Sequence, residues 1–110
     1  MSRSKNKESI LIVDDTASTL EVMQRCLDAE EYRVFTAGNV PDAVTFLDAT
    51  PVDLVITDLK MPRVSGIDLV RHIRENCRDT EVMMVTGYAT VESAVEAIKT
   101  GAEEYLAKPF

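Results

Sequence analysis

The chain has 110 residues, 45% of them hydrophobic, which suits one domain with a real core and excludes disorder as its overall state. A formal net charge of -7 argues against non-specific binding to nucleic acid or anionic lipid. No apolar run approaches the roughly 20 residues that span a bilayer, and the polar start MSRSKNKES has no apolar stretch of a secretory signal behind it.

In chain order, residues 1–8 read as a solvated, flexible tail, and 9–110 as the domain. SILIVD is a short Ile/Val run of the kind buried on both sheet faces, and it runs into two adjacent acids, Asp14 and Asp15. Residues 16 to 29 place Leu20, Met23 and Leu27 on one helical stripe, with Cys26 inside the pattern and expected to pack. YRVFTA alternates polar and apolar residues as an edge strand would. Asn39, followed by Asp42, signals the cap of a helix carrying Val40, Ala43, Val44 and Leu47.

VDLVITD is a third strand, ending at Asp58. SGID then matches the S-x-x-D capping pattern and opens a helix through Ile67, Val70 and Ile73. Within it His72, the single histidine, is expected at the surface, and Cys77 in packing. EVMMVT is a fourth strand ending at Thr86; Thr90 caps a helix through Val91, Ala94, Val95 and Ile98, which Gly101 ends. EYLA is a fifth strand, followed by Lys108. The two cysteines show neither a CxxC motif nor ligand spacing, so no disulfide is expected, and a reduced, cytoplasmic protein is the default.

The alternation predicts a doubly wound α/β fold: a five-stranded parallel sheet, helices on both faces and right-handed crossovers. Such sheets keep their chemistry at the carboxyl ends of the strands. If the first and third strands are neighbours, Asp14, Asp15 and Asp58 converge there. Three carboxylates in one pocket suit a hard cation, Mg²⁺ above all, with Lys108 as a further positive charge and Thr86 as a hydroxyl. Metal, lysine and a carboxylate nucleophile are what phosphoryl transfer to an acid needs. Asp58, the single acid at its strand end, is the better nucleophile, and Asp14 and Asp15 the better metal holders.

The segments ILIVDD, DLVITDLKMPRVSG, MMVTGYAT and GAEEYLAKPF resemble the receiver domain of bacterial two-component response regulators, from about Ser9 to Phe110. The resemblance implies a flavodoxin-like (CheY-like) sheet in the order 2-1-3-4-5, with the final helix missing from this chain. It implies that Asp58 takes a phosphoryl group from a histidine kinase or phosphotransfer protein. It assigns Mg²⁺ to Asp15, Asp58 and the main-chain carbonyl of Lys60, with Asp14 acting through water. Thr86 is then the switch hydroxyl, Tyr105 the aromatic that moves with it, and Lys108 the partner of the phosphoryl oxygens. The Lys60 side chain would tune dephosphorylation, Gly87 would leave the pocket open, and the Lys108–Pro109 bond is expected to be cis. Such a domain is no enzyme in the ordinary sense; it promotes its own phosphorylation and dephosphorylation. The implied partners are the kinase and an output domain C-terminal to the chain, possibly regulating transcription, with no direct nucleic-acid or membrane binding. A homodimer is allowed, and apolar surface is expected to lie bare beside the first and fifth strands.

Three alternatives compete. A pseudo-receiver would keep the fold as a binding module, yet every phosphorylation residue is present. Metal-dependent phosphatases with an aspartyl nucleophile carry D-x-D, whereas Asp14 and Asp15 are adjacent. A flavodoxin-like electron carrier needs a glycine-bearing phosphate loop, which DDTAST lacks.

Overall fold

The computed structural model describes residues 8–61, 63–87 and 89–108. The tail up to residue 7, Pro62, Tyr88 and the Lys108–Pro109 bond therefore lie outside the described residues. The strands are β1 (Ser9–Val13), β2 (Arg33–Ala37), β3 (Leu54–Thr57), β4 (Glu81–Thr86) and β5 (Glu104–Ala107). Between them run α1 (Ala17–Ala29), α2 (Val40–Ala49), α3 (Gly66–Asn76) and α4 (Val91–Thr100). The strands form one sheet in the order β2-β1-β3-β4-β5, every neighbouring pair parallel. The expected strand order is the observed one, with the alternating strand β2 at an edge.

The period-2 alternation of the strands sorts side chains onto two faces. Leu11, Val13, Val55, Val82 and Met84 face the larger layer, built with Val40, Ala43 and Leu47 of α2, Ile67, Leu69, Val70 and Ile73 of α3, and Ala97 of α4. Ile10, Ile12, Ile56 and Val85 face the other side, where Leu20, Met23 and Leu27 of α1 rest on them. Burial of each such Leu or Ile contributes roughly 1.5–3 kcal/mol before conformational entropy is counted. On the α1 side a groove of about 580 Å³ remains, lined among others by Val22, Met23, Leu27, Met83, Val85 and Leu106. This is the expected apolar surface, seen beside β1 and reaching β5.

Local signals set the helix starts. The Asn39 side chain accepts from the Asp42 amide at 2.8 Å, and Ser65 and Asp68 form a reciprocal capping box. Thr90 forms a similar box with Ser93 in place of an acid. Gly101 ends α4 at φ 132°, a conformation that favours glycine.

Two expectations are corrected. Cys26 is exposed, because α1 covers its side of the sheet with only Leu20, Met23 and Leu27, and Cys26 stands at the edge of the groove. His72 is half-buried rather than at the surface: its Nε2 is shut off from solvent, 3.9 Å from Asp48 Oδ1 of the neighbouring α2. Cys77 is partly buried, and both cysteines are free thiols.

Candidate functional site

The sheet register builds the site. Val13 is level with Thr57, so the residues that follow them, Asp14 and Asp58, emerge side by side. Thr86 is level with Ala107, and the Lys108 amide donates to the Thr86 carbonyl at 2.8 Å, which sets Lys108 at the same edge. One carboxylate oxygen from each of Asp14, Asp15 and Asp58 lies within 4.8 Å of the others. Residues 94 positions apart, Asp14 and Lys108, meet here.

Asp14 and Asp58 are buried, 3% and 7% exposed, while Asp15 stands open to solvent at the mouth. Buried carboxylates require donors. Asp14 Oδ1 accepts the Thr16 amide at 2.9 Å, and its Oδ2 accepts Lys108 Nζ at 2.8 Å. Asp58 Oδ1 accepts the Leu59 amide at 2.7 Å, and its Oδ2 lies 3.6 Å from Lys108 Nζ. Burial alone would lower the Lys108 pKa, but the hydrogen bond and charge of Asp14, with Asp58 behind it, lift it above the ordinary lysine value. Three carboxylates against one ammonium leave an inner excess of negative charge, which suits a divalent cation with oxygen ligands.

The loop after Asp58 is held close by a glycine. A β-carbon on Gly66 would lie 2.0 Å from the Asp58 carbonyl oxygen, and the Gly66 amide donates to Leu59 O at 2.7 Å. The start of α3 is thus pressed against the end of β3. The pocket outside has a volume of about 690 Å³, and Asp15, Asp58, Lys60, Arg63, Gly87 and Lys108 are among the residues that line it. Among the described residues other than its chain neighbours, nothing lies within 4 Å of where a Gly87 β-carbon would project, which leaves that wall open. Thr86 is fully buried at the end of β4. Tyr105 stands apart from the acids: its ring packs on the larger core layer and its hydroxyl meets Ser93 Oγ in the first turn of α4.

Arg63 is a lining residue to which the sequence assigns no role. It sits at φ 72°, a left-handed conformation that costs a non-glycine residue about 1–3 kcal/mol. Glu31, at φ 70°, has a local reason: it follows the end of α1, and its amide donates back to Asp28 O at 2.9 Å. Arg63 precedes α3, so no helix C-terminus accounts for it. A left-handed arginine has no glycine or asparagine signal, so only the pocket reveals it.

The profile of the response regulator receiver domain matches residues 10–110. The chain belongs to that family. Its receiver domain is 36% identical over 104 residues to response regulator protein PilR of Pseudomonas aeruginosa, covering 94% of this chain and 23% of that protein. The chain thus spans about a quarter of that relative's length. Among solved structures, a CheY-like receiver domain protein from Methanospirillum hungatei superposes with a TM-score of 0.92 at 30% identity, covering 96% of this chain and 84% of that one. A response regulator from Burkholderia pseudomallei, crystallised with a phosphorylated aspartic acid, calcium ion and citrate, gives 0.90 at 31% identity, covering 94% and 61%. Receiver domains are signalling switches, not classical enzymes, and they generally bind Mg²⁺ at an acidic pocket. Among the described residues no helix is long and apolar enough to cross a membrane.

Proposed function

We propose that this receiver domain is a phosphoacceptor switch in which Asp58 takes a phosphoryl group from a histidine kinase or phosphotransfer protein. The single observation that carries the reading is the placement of Asp58 Oδ2 3.6 Å from Lys108 Nζ, within the three-carboxylate cluster. Phosphorylated aspartate in the Burkholderia relative supports it.

The chemistry follows from the groups in place. The Asp58 carboxylate lies beside the Lys108 ammonium, so its oxygen can attack phosphorus while the ammonium meets the phosphoryl oxygens. With phosphoramidate as donor, the new bond joins an Asp58 oxygen to phosphorus and the P–N bond breaks. The leaving nitrogen, already carrying three protons, keeps the bonding electron pair and departs as ammonia. Asp14 holds Lys108 in register by its 2.8 Å hydrogen bond and thereby positions it. The fit of a divalent cation rests on the charge excess of the cluster; Asp14, Asp15, Asp58 and the Lys60 main-chain carbonyl would hold Mg²⁺, which when bound supplies positive charge against the phosphoryl oxygens.

The signal would pass through Thr86 and Tyr105. Thr86 ends β4 beside the acids, and Tyr105 on β5 reaches α4 through Ser93. An output domain beyond the chain's C-terminus would read it. Transcription control is the proposed output, since several relatives carry the names of transcriptional regulatory proteins. A cytoplasmic setting and a homodimer fit this reading. In the test, intact mass after incubation with phosphoramidate and Mg²⁺ should rise by one phosphoryl group, and EDTA should suppress the gain. Asp58→Asn should show none; equal labelling of that variant would refute the assignment.

A further inference from the structure

Arg63 lines the phosphoryl pocket in a backbone conformation that glycine would adopt freely, and no capping role explains it. Among the described residues no carboxylate pairs with its guanidinium; the same holds for Arg33 and Arg78, but neither of those lines this pocket. Inside the same pocket Lys108 is already engaged by Asp14 and Asp58. An incoming phosphoryl donor must approach three carboxylates, and Arg63 is exposed at the outer wall of that path.

We propose that Arg63 is a specificity-determining residue that engages the anionic oxygens of the N-phosphoryl donor on its way to Asp58. The inference rests on the phosphoacceptor reading and adds a donor-binding group to it. A guanidinium offers planar, paired N–H donors that match phosphoryl oxygens, and it stays charged at any working pH. The role is recognition rather than bond-making: Arg63 raises the occupancy of the pocket by donor and leaves the attack to Asp58. Its pull is electrostatic, so salt weakens it.

The test uses the chain itself with Mg²⁺ and phosphoramidate, following the initial rate of Asp58 labelling across donor concentrations. Arg63→Gly should need about fivefold more phosphoramidate for half-maximal rate, the effect expected of one partly solvated charge contact. Its melting temperature should equal or exceed the parent's, because glycine relieves the left-handed strain. Arg63→Lys keeps the charge and should fall between the two. Added NaCl should slow the parent more steeply than Arg63→Gly. A glycine variant whose concentration curve and salt dependence coincide with the parent's overturns the assignment of Arg63 while leaving the phosphoacceptor reading standing. So does a lysine variant as impaired as the glycine one with both melting early, since that is a structural effect. A parent that takes no label at Asp58 brings down both readings.

Discussion

Gly66 and Asp58 touch backbone to backbone: a β-carbon on Gly66 would lie 2.0 Å from the Asp58 carbonyl oxygen, nearer than van der Waals contact permits. The obstacle is main chain at the end of a central strand, so it cannot swing aside. Gly66→Ala should therefore cost about 2–3 kcal/mol in a urea melt, by overpacking and by pushing α3 away from β3. Labelling of Asp58 should fall with it, because the loop that walls the pocket moves. An alanine variant with the parent's midpoint would show that the contact relaxes freely.

Lys108 is held below two acids, and its pKa is raised above 10.5 by the hydrogen bond and charge of Asp14 and the charge of Asp58, against an opposing effect of burial. A base with a raised folded pKa contributes stability that is fully present below its unfolded value, about 10.4, and is lost as pH climbs through the higher folded value. Lys108→Met removes that contribution and leaves Asp14 short of a donor, so it should destabilise the chain by about 1–3 kcal/mol at neutral pH. The gap between parent and variant should stay flat from pH 7 to 10 and close only above that. A gap that closes near neutrality would mean that another group carries the effect.

The hydroxyls of Tyr105 and Ser93 join β5 to the first turn of α4. Tyr105→Phe and Ser93→Ala should each lower stability by about 0.5–1.5 kcal/mol, and the double variant by less than their sum. Ser93 also serves the capping box with Thr90, so its single variant should be the costlier. Strict additivity in chemical melts would show that the two hydroxyls are uncoupled.

The two cysteines should react unequally. Cys77 has its pKa raised, first by burial and then by the negative charge of Asp48, with Arg74 opposing, whereas Cys26 is exposed. A raised thiol pKa keeps the reactive thiolate scarce. Iodoacetamide at pH 8 should therefore alkylate Cys26 several-fold faster than Cys77, read by peptide mass spectrometry. Equal rates would contradict the burial of Cys77.

Much of this was legible in the sequence, and the reason is local. Ile/Val runs such as ILIV name buried parallel strands, and the Asn39, Ser65 and Thr90 caps are decided by residues within one turn. Asp14, Asp15, Asp58 and Lys108 were found because a parallel sheet gathers whatever stands at its carboxyl ends. What escaped depends on packing between distant segments. Whether Cys26 is covered depends on what lies on α1, and the half-burial of His72 depends on α2 arriving beside it. The left-handed Arg63 sits in the tight loop between Asp58 and Gly66, and no propensity of arginine announces that conformation. The contact of Tyr105 with Ser93 joins a strand and a helix whose patterns are each complete without it.

The central claim is that the phosphoryl group resides on Asp58. Borohydride reduction converts an aspartyl phosphate to homoserine, which marks its position permanently. After treatment of the chain with phosphoramidate and Mg²⁺, then borohydride, peptide mass spectrometry should find homoserine at residue 58 and aspartate intact at 14 and 15. Homoserine at Asp14 or Asp15, with Asp58 unchanged, would contradict the account.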